Sequence, residues 1–282
     1  MIEFDPSRSA LYTPEKRGTV FSGAHSYSIV QLGVEASRLA YLRTEAAQSE
    51  QQALSQALGL AGFGTPRMFS DQQTSTQAFG AFRASDRTAL LAFRGTQPDE
   101  AGDLGTDLQA DMVAWPEGGG RVHAGFARAF RAIRPAIDEW LAGECAARSE
   151  LILAGHSLGA ALATLAATVW KPAQLVTLGS PRVGNPEFAA TFAGVPVVRV
   201  VNCCDAVTQI PPESPWYTHA GPMTYVRSDG TLVSHPDGPT VVSDQLKARA
   251  RYLVDHSWRA GAVLVRDLAD HAPINYVRAF FL

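Results

Sequence analysis

Cysteine is scarce in this chain of 282 residues. Its three cysteines, Cys145, Cys203 and Cys204, are too few and too unevenly spaced for the disulfide framework of a small secreted domain. There is no CxxC pair, so a structural zinc site is not expected either. Adjacent cysteines seldom bond each other, and we expect the side chains of Cys203 and Cys204 to diverge.

Charge is also limited, since charged residues make up 18% of the chain and the net charge is −3. The sequence lacks the dense cluster of lysine and arginine that a protein binding a nucleic-acid duplex normally carries. Nucleic acid is therefore not an expected partner. With 46% hydrophobic residues, the composition is that of a globular protein and excludes a disordered or collagen-like chain.

A Sec signal peptide is not recognisable in the first 18 residues, which contain early acids and no apolar core. We expect a cytoplasmic protein, a protein exported by another route, or one whose leader is not part of this chain. One apolar run, 151–170, has membrane-spanning length but includes a histidine, a serine and many small residues. A buried strand followed by a buried helix explains that run better than a membrane helix.

Short apolar strands alternate with helices along the chain. Strands are predicted at 79–83, 88–93, 151–154, 175–178 and 197–201, the first two as a hairpin. Helices are predicted at 34–43, 46–60, 125–141, 158–170 and 244–269, with Pro273 closing the last. This alternation predicts an α/β fold with a mostly parallel sheet covered on both faces. We predict one domain over 1–282, with a loosely structured arm at 1–24.

The strongest functional signal is Gly155-His156-Ser157-Leu158-Gly159, which fits the pattern G-x-S-x-G. It lies between a predicted strand and a predicted helix, where a sharp turn can expose a nucleophilic serine. Side chains two residues before and after the serine would collide in such a turn, so both positions require glycine. We predict that Ser157 is a nucleophile and that the turn directs His156 away from it.

A serine nucleophile needs an acid and a histidine, which in this kind of sheet follow it in that order. Asp205 is the candidate acid because it comes shortly after the strand 197–201, although a loop-capping role is the alternative. The histidines that follow it are His219, His235, His256 and His271.

His271 is the candidate base. It lies where the last predicted helix ends, and a helix C-terminus favours the imidazolium that forms during catalysis. His256, inside that helix, and His219, close after the acid, remain alternatives. We interpret His25 and His123 as structural residues and His235 as a surface residue.

Six segments, in order, resemble the class 3 lipases, the fungal-lipase-like branch of the α/β-hydrolases. They are residues 93–96, 122–126, 155–159, 179–185, 199–205 and 270–276. The resemblance implies an α/β-hydrolase fold with Ser157, Asp205 and His271 as nucleophile, acid and base. It also implies an oxyanion hole formed by the backbone amide of Leu158 and by Thr96, which Asp107 would orient.

The implied reaction is hydrolysis of a carboxylic ester through an acyl-enzyme, with no metal or organic cofactor. We expect a triacylglycerol lipase or carboxylesterase that acts on a lipid or another acyl ester. A phospholipase A1 or a feruloyl-type esterase would share these motifs, and a serine peptidase would share the triad. A hydrolase-like interaction protein without catalysis is the alternative from another class. The sequence does not indicate an oligomeric state.

Residues 97–116 occupy the position of the lid in that family. Leu104, Leu108, Met112 and Trp115 recur at helical spacing, and five acids make the rest of the segment polar. A helical lid could cover an acyl groove in water and contact a lipid surface transiently. A surface helix packed permanently on the core has the same periodicity, so both interpretations stay open.

Three features depart from the compact fungal members of the family. The arm at 1–24 has no counterpart, the stretch 228–251 looks longer, and three cysteines cannot build their disulfide framework. Secretion and calcium dependence are therefore not carried over.

Overall fold

The computed structural model describes residues 2–96 and 111–281. Within these ranges the strands are β1 (Arg67–Asp71), β2 (Thr76–Arg83), β3 (Thr88–Phe93), β4 (Met112–Ala114), β5 (Arg121–His123), β6 (Glu150–His156), β7 (Gln174–Leu178), β8 (Val197–Asn202), β9 (Met223–Val226) and β10 (Leu232–Ser234). The helices are α1 (Arg8–Tyr12), α2 (Ile29–Leu39), α3 (Gln48–Leu60), α4 (Ala124–Ala142), α5 (Leu158–Val169), α6 (Pro186–Ala190), α7 (Gly238–Asp255), α8 (Arg266–Ala269) and α9 (Pro273–Val277).

One sheet organises the molecule, with its strands in the order β1-β2-β3-β6-β7-β8-β9-β10. The run from β3 to β9 is parallel, and antiparallel strands β1, β2 and β10 extend the two edges. The predicted α/β fold with a mostly parallel sheet is confirmed, and β1, β9 and β10 add to the predicted strands. Parallel strands place their carboxyl ends at one edge, where α/β proteins build their sites.

Helices cover both faces of this sheet, and the alternation of side chains along the strands supplies two cores. Leu90 and Ile152 face α2 and α3. Leu91 and Leu153, one residue further along the same strands, face α4 and α5. The central strands are therefore buried on both sides, which explains their continuous apolar sequence. In the described ranges, we find no helix long and apolar enough to cross a membrane.

The carboxy-terminal helices differ from the prediction. The single helix expected over 244–269 is wrong, because α7 begins at Gly238 and ends at Asp255, and α8 is a separate short helix. Gly261, with φ of +84°, lies in the connection between them. Pro273 begins α9 instead of closing a helix, as proline can at a first helical turn. Apolar periodicity persisted across this break, and the pattern gave no sign of it.

Residues 2–24 also differ from the loosely structured arm that was expected. The backbone amide of Asp5 donates to Asn275 Oδ1 at 2.8 Å, and Asn275 Nδ2 donates to the Asp5 carbonyl at 2.8 Å. Further along, Arg38 donates to the carbonyls of Arg17 and Gly18 at 3.0 Å each. The segment is held by partners distant in sequence, which local periodicity does not reveal.

The helix predicted over 97–116 falls largely on residues 97–110, which lie outside the described residues. Its last part is wrong, since Met112 pairs with His123 in the β4–β5 pair. Trp115 is 1% exposed and donates its indole N–H to Thr168 Oγ1 at 2.8 Å. A buried tryptophan with its polar atom satisfied is a core residue, so the apolar helical stripe does not continue through it.

Candidate active site

Ser157 lies at the turn between β6 and α5, at the carboxyl edge of the sheet. Its backbone has φ of 58° and ψ of −127°, a region that residues other than glycine rarely occupy. A Cβ at Gly155 would lie 2.2 Å from the Gly159 carbonyl oxygen, and one at Gly159 would lie 2.1 Å from the Phe93 carbonyl oxygen. Both glycines of the motif are thus required by close backbone contacts, as the sequence indicated.

The structure brings Ser157, His271 and Asp205 together although they are far apart in the chain. His271 Nε2 lies 3.0 Å from Ser157 Oγ, and His271 Nδ1 lies 2.8 Å from Asp205 Oδ2. All three side chains are buried. With the Nδ1 proton donated to the carboxylate, Nε2 is left to accept the serine proton. His271 reaches this place from the turn between α8 and α9.

Asp205 is held by more donors than the histidine alone. The amide of Val207 donates to its Oδ1 at 2.9 Å, and the hydroxyl of Tyr276 donates to its Oδ2. Burial and the charge of Asp205 raise the pKa of Tyr276, so its hydroxyl stays protonated and donates. The carboxylate also caps a helical turn at residues 206–209, which is the capping role considered as the alternative. Asp205 makes this contact and the contact to His271 at the same time.

Gly179, at the end of β7, lies directly against this acid–base pair. Its φ is +58°, and a Cβ there would lie 2.8 Å from Asp205 Oδ2 and 3.2 Å from His271 Nδ1. A side chain at this position would enter the space between the acid and the base. Neither Gly179 nor Tyr276 was a predicted site residue, although both lie in segments that carry the family resemblance.

Asp270 ties the turn of the base to the turn of the acid. Asp270, just before His271, accepts from Arg266 Nε at 2.9 Å and from the Cys204 amide at 2.9 Å. Asn202 Nδ2 donates to the Asp270 carbonyl at 2.8 Å. Burial raises the pKa of Asp270 to about 6, although Arg266 opposes that shift. These contacts fix the neighbours of Asp205 and His271 relative to each other.

Cys203 and Cys204 do not diverge as expected. Cys203 has φ of +30°, and the two Sγ atoms lie 3.6 Å apart, both free and buried. Within the described part of the chain they form, with Asp270, the one group close enough to share a metal ion. The Asp270 carboxylate is taken up by Arg266, and contact with Cys204 and burial raise the pKa of the Cys203 thiol. These are the contacts of hydrogen-bonded thiols rather than of metal ligands.

His156 was predicted to point away from Ser157, and its ring packs beside the base, His271. Its ring centroid lies 4.4 Å from that of His271, and its Nδ1 lies 2.7 Å from the hydroxyl of Tyr41. As the last residue of β6, it follows the strand alternation of Ile152 and Ala154 toward the face covered by α2. Burial, reinforced by His271, lowers the pKa of His156 well below its usual value. The ring stacked on His271 is therefore neutral.

The two alternative bases are held in other places. His219 Nε2 lies 2.9 Å from the carbonyl oxygen of Thr208, and burial lowers its pKa to about 3. His256 ends α7 and packs on Phe4 and Tyr252. His123 caps the start of α4, in line with its structural interpretation. His25 and His235 are exposed.

The segment after β3 runs alongside the serine. A Cβ at Gly95 would lie 2.1 Å from the Tyr41 hydroxyl and 3.1 Å from the Cβ of Ser157. Half-buried Thr96 follows directly, three residues beyond the end of β3. Leu158 begins α5, where helical N–H groups have no partner within the helix. Asp107 lies outside the described residues.

Comparisons with known proteins agree with the motifs. A family model described as Lipase (class 3) matches residues 90–214. The secreted mono- and diacylglycerol lipase A of Penicillium cyclopium is 31% identical over 216 residues, which cover 72% of this chain and 67% of that protein. A lipase of Rhizopus niveus is 30% identical over 176 residues, 57% of this chain. The chain spans only 44% of the length of that Rhizopus protein.

Solved structures of fungal lipases share the fold. The propeptide complex of Rhizomucor miehei lipase superimposes with a TM-score of 0.59 at 23% identity, covering 78% of each chain. The mono- and diacylglycerol lipase of Aspergillus oryzae gives 0.60 at 24% identity, covering 72% of this chain and 81% of that one. These neighbours establish the α/β-hydrolase fold. The Penicillium relative, 31% identical and covered over 67% of its length, shows that the chain belongs to the class 3 lipase family.

Proposed function

We propose that this protein is a serine ester hydrolase, acting as a triacylglycerol lipase or carboxylesterase. The observation that carries the proposal is the pair of contacts from Ser157 Oγ to His271 Nε2, 3.0 Å, and from His271 Nδ1 to Asp205 Oδ2, 2.8 Å. They join three distant segments at a strained turn, an arrangement suited to nucleophilic catalysis. Membership of a lipase family supports an ester as the bond that is cleaved.

The proposed reaction begins when Ser157 Oγ attacks the ester carbonyl and His271 Nε2 takes its proton. The amide of Leu158 and Thr96 hold the oxyanion, and each such donor contributes about 3 kcal/mol to the transition state. His271 then gives its proton to the leaving alcohol, and the acyl group stays on Ser157. A water molecule, deprotonated by His271, releases the acid and restores the serine.

The surrounding residues favour this division of roles. Asp205 accepts from Tyr276 and Val207 as well as from His271, and these donors hold its carboxyl group in one orientation. It therefore stabilises the imidazolium that forms on His271. Neutral His156 lies beside that ring but is bonded to Tyr41, so His271 is the base that contacts Ser157.

The lid is part of the same proposal. Ser157 is 1% exposed, so a covering segment must move before an acyl chain can reach it. We propose that residues 97–116 include that segment, with the buried indole of Trp115 as its fixed end. Opening would give a transient contact with the lipid surface, as amphipathic segments make at interfaces.

A phospholipase A1 is the second candidate. Phospholipase A(1) DAD1 of Arabidopsis thaliana is 47% identical over 68 residues, 21% of this chain and 15% of that protein. Because the shared stretch is short, the preference for a phospholipid head group has to be measured with lipid substrates. Trioleoylglycerol should be cleaved faster than phosphatidylcholine if the first proposal is right, and the reverse order would favour the second.

The direct test is hydrolysis of p-nitrophenyl esters from acetate to palmitate. We expect Ser157→Ala to lower turnover at least ~10³-fold, since a triad member carries most of the rate. Ser37→Ala is the matched control, because Ser37 is a buried serine that donates only to the Gly33 carbonyl. Unchanged turnover in Ser157→Ala would remove Ser157 from the mechanism. Absence of activity on every ester would favour a non-catalytic interaction protein.

A further inference from the structure

Exposed apolar side chains concentrate in one part of the molecule. Among the described residues, eight of the twelve large hydrophobic side chains that are exposed lie between residues 242 and 268. We call this region the α7–α8 surface and define it by its six central members. They are Leu246, Leu253, Val254, Trp258, Leu264 and Leu268. This surface begins within the stretch 228–251, which looks longer than in the compact fungal members of the family, and extends beyond it.

An ion pair makes this region continuous. Arg249 on α7 donates to Asp267 on α8 at 2.7 Å and 3.0 Å. Leu246 and Leu253 lie three residues before and four after Arg249, hence on the same side of the helix. Leu268 follows Asp267 directly on α8, and Leu264 lies three residues before Asp267, ahead of that helix. The leucines around each partner therefore belong to one surface, larger than the single apolar residues that soluble proteins normally expose.

Trp258 is 72% exposed, yet its polar atom needs no partner from outside. Its indole N–H donates to the Val254 carbonyl at 2.7 Å, and the Arg259 guanidinium lies 5.6 Å from its ring centre. The ring is thus available for apolar contact beside a cation. Tryptophan and arginine together are typical of segments at the boundary between lipid and water.

The charges of this region have the opposite sign to those of the whole chain. Its solvent-facing charged residues are Lys247, Arg249, Arg251, Asp255, Arg259 and Asp267. Four cations and two acids give a local charge of +2 in a chain with a net charge of −3. Two copies of this surface would repel each other in a symmetric dimer, which disfavours a second copy as its occupant.

We infer that the α7–α8 surface docks the protein on an anionic lipid–water interface. This inference rests on the proposed function, because ester hydrolysis leaves fatty acids that make a lipid surface negative. The apolar residues would enter the acyl boundary, and the surrounding cations would meet the carboxylates.

The surface also adjoins the catalytic residues. Gln245 on α7 donates to the Cys203 carbonyl at 2.8 Å, two residues before Asp205. On the other side, α8 leads directly into Asp270 and His271. Docking would therefore hold the acid and the base at the substrate surface independently of residues 97–116.

Vesicle binding by the full chain tests the inference. The protein carries Ser157→Ala, so no hydrolysis alters the vesicles, which contain phosphatidylcholine with or without oleate. We expect Leu253→Ser with Trp258→Ser to weaken binding to oleate vesicles at least ~10-fold. Lys247→Glu with Arg259→Glu should weaken that binding too and reduce its dependence on salt. Leu60→Ser with Leu232→Ser is the control, since both leucines are exposed too but lie elsewhere in the chain.

Equal vesicle affinity of the Leu253/Trp258 variant and its parent would overturn the inference. So would a dimeric parent that becomes monomeric in this variant, since that result assigns the surface to a second copy. With active protein, the variant should lose activity on emulsified trioleoylglycerol and keep that on p-nitrophenyl acetate within ~2-fold. The active protein could cleave no ester while the surface variants still bind oleate vesicles more weakly than their parent. That result would support docking and contradict the proposed function.

Discussion

The region around the nucleophile and the region around the base reach the same site by different physical means. Ser157 is set by its own backbone, since Gly155 and Gly159 approach neighbouring carbonyls too closely for any other residue. His271 is set by contacts with residues distant in the sequence, directly with Asp205 and, through its neighbour Asp270, with Asn202 and Cys204. Backbone sterics require glycine at fixed positions, which gives a short pattern visible in the sequence. A network of side chains from separate segments gives no such local pattern.

The two regions should therefore respond differently to substitution. Single substitutions around the base should each remove part of the activity or stability, since several separate contacts hold Asp205 and His271.

The largest effect should come from His271→Ala. Removing the base leaves Ser157 without a proton acceptor, and we expect kcat/KM for a soluble ester to fall at least ~10³-fold. His256→Ala is the matched control, because His256 ends α7 and packs on Phe4. A large loss in His256→Ala together with full activity in His271→Ala would exchange their roles.

Asp270→Asn should lower the stability of the fold and loosen the placement of His271, the next residue. It leaves the buried guanidinium of Arg266 without its carboxylate, which costs about 3–5 kcal/mol. Urea unfolding measures the loss. Adding Arg266→Met removes the unpaired charge and should recover part of the stability. A double variant less stable than Asp270→Asn alone would contradict the assigned pair.

Gly179→Ala should reduce activity more than stability. Its Cβ would lie 2.8 Å from Asp205 Oδ2, and displacing a catalytic group by about 1 Å can cost ~10²-fold in rate. Gly194→Ala is a sharp control, because Gly194 also has positive φ but no atom within 4 Å of the added Cβ. Equal kcat in the two variants would show that strain, and not contact with the acid, decides the effect.

Tyr276→Phe should lower kcat for a soluble ester about 10-fold and leave KM unchanged, since a donor to Asp205 is worth about 1.5 kcal/mol or more. In an Asp205→Asn background the same change should have little further effect. Tyr225→Phe serves as the control, because that buried hydroxyl donates to Asp244 and not to the acid. Additive losses in the double variant would place Tyr276 outside the triad network.

The last effect concerns pH and lies outside the triad. Because burial lowers the pKa of His219 to about 3, the native state keeps it neutral while the unfolded state takes up a proton below pH 6.5. The free energy of unfolding should thus fall as pH decreases from 6.5 to 3, by up to about 1.4 kcal/mol per unit from this residue. His219→Gln should flatten that slope in urea titrations between pH 6 and pH 4. An unchanged slope would contradict the buried, neutral state of His219.

Sequence and structure agree best where local rules act. The strands β2, β3, β6, β7 and β8, the helices α4 and α5 and the glycine pattern around Ser157 follow from periodicity and backbone sterics. The helix expected over 244–269 fails because apolar spacing continued through the break between α7 and α8. The orientation of His156, the contact of Tyr276 with Asp205 and the packing of residues 2–24 depend on partners far away in the chain. Such contacts have no signature in a single sequence.

The most direct test of the central claim is labelling with a fluorophosphonate, which reacts with an activated serine. We predict one label per chain, located by peptide mass on Ser157. Because the reactivity of the hydroxyl depends on the imidazole 3.0 Å away, labelling should be at least ~10³-fold slower in His271→Ala. A label on another residue, or an equal rate in the two proteins, would contradict the assignment of Ser157 and His271 as nucleophile and base.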